Sequence, residues 1–395
     1  MGMIYAPPRP AVLRPARTVP ARIEALDLVR LLAVVGMMSA HLLAPLALVP
    51  GASGPEAAAA RVAHLLTEGT SSTLFAVVGG CSLVLASRRH LADGDRRGAV
   101  LAILVRGAVV TALGLLLELA PSPVMVVLVP FGLSMMLTAP LLLLRARVLV
   151  AVIAVLTAGG HPLAMAVPGP VEFGTVTLLS LDDPVGVLRG LVLTGQYPVI
   201  TWIPYLLTGI VLMRAVLREQ EAGRIRRLSL LALAGGAVTA AAAHLLPVLA
   251  AALGHASPGA WYTAATHTGT VADMLATGGI AVALIGLALR LLPPLHLLPT
   301  LHTVRGRIAQ SLRAAGAAPL TVYVAHVLAT GIAVVIAVLL SGGDLSSMPW
   351  YVAGAGILAV HLGGVFALGA VLAERGGRGP LEALLATVIR RAVRR

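Results

Sequence analysis

About ten apolar stretches follow one another along the chain, each close to the roughly 20 residues that a helix needs to cross a bilayer. Of all residues, 58% are hydrophobic and only 11% are charged. The mean hydropathy of +0.95 is far above that of a soluble domain. The sequence therefore predicts an all-α fold, a polytopic integral membrane helical bundle with about ten transmembrane helices.

The predicted spans fill most of the chain and leave a short segment at each end. They lie near 26–49, 70–87, 99–119, 124–144, 148–167, 195–217, 228–250, 267–292, 317–340 and 350–373. Residues 1–22 lack the apolar core of a signal peptide, so we expect a disordered cytoplasmic N-terminal tail. Residues 23–375 form the predicted transmembrane domain, and 376–395 a cytoplasmic amphipathic C-terminal helix.

The distribution of positive charge predicts orientation. The chain has 29 basic residues, all of them Arg, against 16 acidic ones. The Arg residues cluster between alternate apolar spans, which favours lipid headgroups over nucleic acid as their partner and obeys the positive-inside rule. We expect a multi-pass protein of the cell membrane with both termini cytoplasmic. The lone Cys81 excludes an internal disulfide and a cysteine-based metal site, and no metal is expected.

The first span carries the most informative ionisable residues. Asp27 and Arg30 are three residues apart, which allows them to pair on a helix. His41 follows Arg30 by eleven residues, so both project from nearly the same face, about 16 Å apart along the axis. One interpretation is an interfacial anchor plus a packed polar histidine. The other is an arginine that binds a cytosolic anionic group while His41 acts as a general base.

The opening RIEALDLVRLLAVVGMMSAH resembles the first helix of the transmembrane acyltransferases, in particular the bacterial relatives of heparan-alpha-glucosaminide N-acetyltransferase. The arginine, ten residues, then histidine is also similar to the acyltransferase-3 proteins. Further resemblance lies in EGTSSTLFAVVGGCSL at 68–83, GQYPVITWIPYLLTGI at 195–210, HTGTVADML at 267–275, PLTVYVAH at 319–326 and RGPLEALL at 378–385. The resemblance thus runs from the first helix to the C-terminal segment. Two departures are Arg30-Leu31, where relatives have Arg-Gly, and His41, where the glucosaminide enzyme has an asparagine.

The resemblance implies a membrane acyltransferase with acetyl-coenzyme A as donor substrate. An acetyl group would pass from the cytosol to an amine or hydroxyl on an extracytoplasmic glycan or lipid-linked acceptor. Either His41 or His64 would be the base, and the acyltransferase-3 arrangement favours His41. Arg30 would bind the coenzyme phosphates, and the resemblance also sets Tyr323 and His326 near the coenzyme. Direct transfer and an acetyl-histidine intermediate are both compatible with these residues.

Other polar residues within or beside the spans are candidates for acceptor binding. Glu68, Ser71 and Ser72 enter the second span from the outer side, where plain helix capping is the alternative role. His267 and Asp273 are six residues apart, on different faces of the predicted eighth helix, and each is expected to point into a central cavity. Asp27 is a further candidate through its pair with Arg30. His361 has no partner that the sequence identifies, and Tyr197 is interpreted as an interfacial aromatic residue.

Two other functional classes compete with the enzyme. A proton-coupled transporter or flippase would use Asp27, Arg30, Asp273 and His326 as a path through the membrane. A non-catalytic scaffold does not explain so many ionisable groups within the spans. Coenzyme A binding separates the enzyme from the transporter. A homodimer is a candidate assembly, and the sequence does not identify the acceptor.

Overall fold

A computed structural model describes residues 23–49, 51, 53–167, 182–254, 263–292, 304–342, 349–376 and 378–393. These residues form α-helices joined by turns and short irregular segments, and no β-strand occurs among them. The predicted all-α membrane bundle is confirmed. The predicted N-terminal tail, 1–22, lies outside the described residues.

The α-helices are numbered in chain order. They are α1 (Glu24–Leu42), α2 (Gly54–Thr67), α3 (Thr70–Ala92), α4 (Arg96–Leu117), α5 (Leu128–Leu141), α6 (Ala146–Ala166), α7 (Pro184–Arg189), α8 (Val199–Glu221), α9 (Ile225–Ala252), α10 (Val271–Leu291), α11 (Val304–Gly316), α12 (Pro319–Ser341), α13 (Ala355–Arg375) and α14 (Pro380–Val393). Nine helical segments in the described ranges are long and apolar enough to cross a membrane, with α2 and α3 counted together as Gly54–Ala92.

Each of the ten predicted spans overlaps one of these helices, but one of the helices is shorter than a full crossing. The predicted span 124–144 holds α5, which begins only at Leu128 and has 14 residues. Pro121 and Pro123 precede it, and proline cannot donate the backbone hydrogen bonds of a helix interior. The chain therefore reaches α5 through a non-helical segment, 119–127, whose residues Val126 and Val127 are buried.

A tyrosine from a distant helix satisfies the backbone of this segment. The Tyr323 hydroxyl on α12 accepts a hydrogen bond from the Val127 amide (3.1 Å) and donates one to the Met125 carbonyl (3.3 Å). Irregular backbone within a membrane protein is tolerated where the protein supplies such partners. Tyr323 thus fixes the position of 125–127 beside α12.

Small residues bring the central helices close together. A Cβ on Gly80 of α3 would overlap the Leu206 carbonyl of α8, and one on Gly209 of α8 would overlap the Val77 carbonyl of α3. Gly236 of α9 and Gly279 of α10 approach each other in the same way. Close backbone contact at small residues is typical of helix packing in membranes. Large apolar side chains gain little from contact with another helix there, because lipid is equally apolar.

The bundle surrounds α1, which contacts α3, α10, α11, α12 and α13. At the opposite end of the sequence, α14 lies against α4 and α12. The Glu382 carboxylate accepts hydrogen bonds from the amides of Leu320 (2.8 Å) and Thr321 (3.1 Å) at the first turn of α12. These amides have no partner within their own helix, so Glu382 caps α12 and attaches α14 to the bundle.

Candidate active site

A cavity of about 320 Å³ opens between α1, α12 and the turns that precede α3, α8 and α10. Five residues singled out in the sequence line it, namely His41, Glu68, Ser71, Ser72 and His267. They come from three separate regions of the chain. Convergence of titratable and polar side chains on one cavity is the arrangement expected of a binding or catalytic site.

On one side of the cavity, three histidines follow one another from α1 to α12 to α13. His41 Nδ1 lies 3.3 Å from His326 Nε2, and the two rings are nearly parallel. The rings of His326 and His361 are 5.0 Å apart between centroids and almost perpendicular. His326 and His361 are both buried. We call His41, His326 and His361 the histidine row; only His41 of the three lines the cavity.

Another part of the cavity lining is built from two turns and carries a carboxylate. Glu68 follows the last residue of α2, and its Oε1 lies 3.3 Å from His267 Nε2. Gly69 has a φ of +67° and packs so closely on Thr266 that a Cβ there would overlap it. His267 has a φ of +62°, a conformation that few residues with a side chain adopt. We call Glu68 and His267 the carboxylate side.

Asp273 holds the turn that carries His267. The structure corrects the expectation that both residues lie on one helix, because α10 begins at Val271 and His267 belongs to the preceding turn. The buried Asp273 carboxylate accepts hydrogen bonds from the amides of Thr268 (3.1 Å) and Gly269 (3.0 Å). The Thr270 hydroxyl caps the helix by accepting from the Asp273 amide. Asp273 therefore does not line the cavity but fixes the residues that follow His267.

The two serines lie where α3 starts against α1. Ser71 occupies the space that a Cβ on Gly36 would need, so the absence of a side chain at Gly36 lets the two helices meet. The Ser72 hydroxyl donates to the Gly69 carbonyl (2.9 Å). Both serines line the cavity, and Ser72 also stabilises the turn between α2 and α3.

His64, the alternative base, lies on α2 away from the cavity lining. Its side chain is 38% exposed, and its Nδ1 is 4.0 Å from Glu68 Oε2. It reaches the cavity only through this carboxylate. The structure thus separates the two histidines that the sequence left as alternatives, with His41 inside the cavity and His64 behind Glu68.

Arg30 lies about 16 Å from His41 along α1, by the rise of the helix. Its guanidinium pairs with the buried Asp27 carboxylate, as the spacing predicts. It also donates two hydrogen bonds to the Ser82 hydroxyl of α3, at 3.3 and 3.0 Å. Asp27 and Ser82 therefore fix the orientation of this guanidinium within the bundle.

The structure adds three residues that the sequence did not assign. Tyr197 lines the cavity and contacts the His267 ring edge to face. It lies in the segment that precedes α8. Ser82 appears as a partner of Arg30, and His361 as the end of the histidine row. Tyr197 and Ser82 had a sequence signal, since they lie within the 195–210 and 68–83 segments that carry the family resemblance, whereas His361 had none.

The described residues contain no group of three or more His, Cys, Asp or Glu side chains placed to hold a metal ion.

Comparison with known proteins gives the family. The model of the catalytic region of heparan-alpha-glucosaminide N-acetyltransferase matches residues 22–248, which is more than half of the chain. The match contains His41, His64 and Glu68, whereas His267 and the rest of the histidine row lie beyond its end. No curated protein matches the chain. The chain is a multi-pass membrane protein that belongs to the heparan-alpha-glucosaminide N-acetyltransferase catalytic family.

Proposed function

We propose that this cavity is the acyl-transfer centre of a membrane acetyltransferase. The enzyme would move an acetyl or other short acyl group from cytosolic acyl-coenzyme A to an amine or hydroxyl of an extracytoplasmic acceptor, a glycan or lipid-linked glycan of the cell envelope. The observation that carries the proposal is the position of His41, which lines the cavity while its Nδ1 contacts a buried histidine. Membership of the family supplies the reaction class.

His41 is the general base in this proposal. It removes the proton from the acceptor nitrogen or oxygen as that atom attacks the thioester carbonyl carbon. The C–S bond then breaks, and the coenzyme A thiolate takes the proton from the imidazolium, so that the histidine returns to its neutral form. A positioned base of this kind accelerates such a step by about 10² to 10⁴-fold.

The carboxylate side would bind the acceptor. Ionised Glu68 only accepts hydrogen bonds, so the His267 Nε2 that faces it carries a proton. Together they present negative charge and a fixed imidazole opposite His41, which suits an amine or a sugar hydroxyl. Ser71 and Ser72 offer further hydroxyl groups on the same wall of the cavity. His64 acts on this site only through Glu68.

The donor would approach from the Arg30 end of α1. Coenzyme A carries phosphates, which guanidinium groups bind through charge-assisted hydrogen bonds, and Asp27 shapes that site by orienting Arg30. The pantetheine arm would extend toward His41. Tyr323 contributes by holding Met125 at the cavity wall, and His326 by contacting His41. Entry of the donor from the Arg30 end is consistent with a cytoplasmic location of both termini. The Arg clusters between the spans favour that location.

Purified full-length protein in lipid nanodiscs tests the proposal. Acetyl-coenzyme A should raise the melting temperature, because a ligand that binds only the folded state stabilises it. Radiolabelled acetyl groups should pass to glucosamine-type acceptors. A protein that ignores coenzyme A and transfers nothing would contradict the proposal and favour the transporter.

Replacement of Arg30 tests the donor site. Arg30→Ala should weaken acetyl-coenzyme A binding by roughly tenfold or more, the usual size of one or two charge-assisted hydrogen bonds. Arg224→Ala is the matched control, since Arg224 is an exposed residue between α8 and α9 that pairs with Glu219 of α8. Isothermal titration with acetyl-coenzyme A measures both variants. Equal affinity in wild type and Arg30→Ala would assign Arg30 to helix packing and lipid contact.

A further inference from the structure

His361 takes no part in the transfer described above, yet its hydrogen bonding restricts its protonation. Its Nδ1 lies 3.0 Å from the Ile357 carbonyl in the preceding turn of α13. A carbonyl oxygen can only accept, so Nδ1 carries the proton and Nε2 of the neutral ring is an acceptor. This Nε2 is buried and has no hydrogen-bond partner among the described residues.

The neighbouring His326 also has a ring nitrogen without a hydrogen-bond partner among the described residues, and this nitrogen can serve as the donor to His361 Nε2. Its Nε2 faces His41, while its Nδ1 is buried without a partner in the described part of the chain. The two nitrogens of an imidazole point to opposite sides of the ring, and His361 is the next ring, 5.0 Å away between centroids. No hydrogen bond joins His326 Nδ1 to His361 Nε2 as the rings stand, but a small rotation of one ring, or one bridging water, would join them and satisfy both buried atoms at once.

We propose that His361 is a positioning residue that sets the tautomer of His41 through His326. With an acceptor at His361 Nε2, the proton of His326 lies on Nδ1, and its Nε2 must accept. His41 Nδ1 then carries the proton that it donates to His326, and His41 Nε2 is left unprotonated as the base. This proposal rests on the proposed function only in its last step, since the tautomer order belongs to the resting protein.

The opposite order would disable the base. If His326 carried its proton on Nε2, it would donate to His41 Nδ1, and the neutral His41 would then carry its proton on Nε2. A histidine protonated at the nitrogen that faces the acceptor cannot remove a proton from it. Without an acceptor at His361 Nε2, no hydrogen bond favours the His326 tautomer that carries its proton on Nδ1.

Nitrogen-15 spectra of full-length protein labelled at histidine test the tautomer order directly, because protonated and unprotonated ring nitrogens differ widely in chemical shift. His41→Gln assigns the His41 signals. We expect His41 to be protonated at Nδ1 in the wild type and to shift toward Nε2 protonation in His361→Leu. Wild-type His41 protonated at Nε2, or a tautomer unchanged in His361→Leu, would overturn the proposal.

Kinetics with acetyl-coenzyme A separate positioning from packing. His361→Leu should lower kcat by at least about tenfold with little change in either KM, since a wrong histidine tautomer impairs the chemical step. His361→Gln, whose amide oxygen can accept from His326 Nδ1, should keep most of the activity and the wild-type spectrum. Equal losses in the Gln and Leu variants would contradict the proposal.

The control is His244→Leu. His244 makes the same kind of bond to a carbonyl one turn earlier, to Ala240 at 2.8 Å, but lies on α9 away from the cavity lining. It should keep wild-type kinetics. If the wild type shows the expected spectrum but transfers no acetyl group, the proposed function fails and the tautomer assignment stands.

Discussion

The two sides of the cavity place a histidine against different kinds of partner. In the histidine row, His41 contacts another imidazole that is itself buried. On the carboxylate side, His267 contacts Glu68, which also lies 4.0 Å from His64. An imidazole can give or accept a proton at either nitrogen, whereas an ionised carboxylate only accepts. The row can therefore leave one nitrogen of His41 unprotonated, and the carboxylate side keeps a proton on His267 Nε2.

The backbones of the two sides differ as well. The histidine row lies on three helices, α1, α12 and α13. The carboxylate side lies on turns that need left-handed backbone at Gly69 and His267. Rigid helices suit a group that must meet a reacting atom accurately, and turns suit the recognition of an acceptor. This division is consistent with the proposal that the row carries out the chemistry and the turns bind the acceptor.

The largest expected effect tests whether chemistry belongs to the row. His41→Ala should lower kcat by about 10²-fold or more, because it removes the base while the distant donor site persists. His64→Ala should keep substantial activity, since His64 lies outside the cavity lining. Steady-state kinetics and coenzyme A titration measure both variants. An active His41→Ala beside an inactive His64→Ala would reverse the comparison and place the base on the carboxylate side.

A smaller effect is expected on the other side. Glu68→Gln keeps the size of the side chain and removes its charge, so the KM for an amine acceptor should rise roughly tenfold, the usual size of one charge-assisted hydrogen bond. The kcat should change little. Glu374→Gln, at an exposed position near the end of α13, is the control. A fall in kcat at unchanged KM would show that the two sides share the chemistry.

The sequence was informative where function depends on spacing within one helix. The Asp27–Arg30 pair follows from a separation of three residues. The choice of His41 as a candidate base follows from its distance to Arg30 together with the family resemblance. The contact of His41 with His326 joins residues 285 apart in sequence, and no local pattern encodes it. It depends on how α12 packs against α1.

The turns were harder to predict for a different reason. The apolar period extends the predicted eighth span back to residue 267, but the helix starts at Val271, where Thr270 provides the cap. The Thr270 cap was visible in the sequence as a helix-start signal. The left-handed conformation of His267 was not, because it depends on the Asp273 carboxylate and on the neighbouring turn at Gly69.

The smallest expected effect concerns Asp273, which shapes the carboxylate side without lining the cavity. Asp273→Ala leaves two backbone amides without their acceptor, a loss of about 1 to 3 kcal/mol for buried groups, so the melting temperature should fall. The turn that carries His267 should loosen, and the acceptor KM should rise a few-fold with kcat nearly unchanged. Asp273→Asn keeps one oxygen acceptor, so its melting temperature and its acceptor KM should both lie between those of the wild type and Asp273→Ala.

Asp95→Ala is the matched control, because Asp95 caps α4 by accepting from the Gly98 amide, and neither residue lines the cavity. That amide and His90 hold the pKa of Asp95 below its ordinary value, so it is an ionised cap at neutral pH. Its loss should lower the melting temperature and leave the acceptor KM at the wild-type value. If Asp95→Ala raised the acceptor KM as much as Asp273→Ala, lower stability alone would explain the effect. A higher KM in Asp273→Ala alone would show that the turns recognise the acceptor through a geometry that Asp273 maintains.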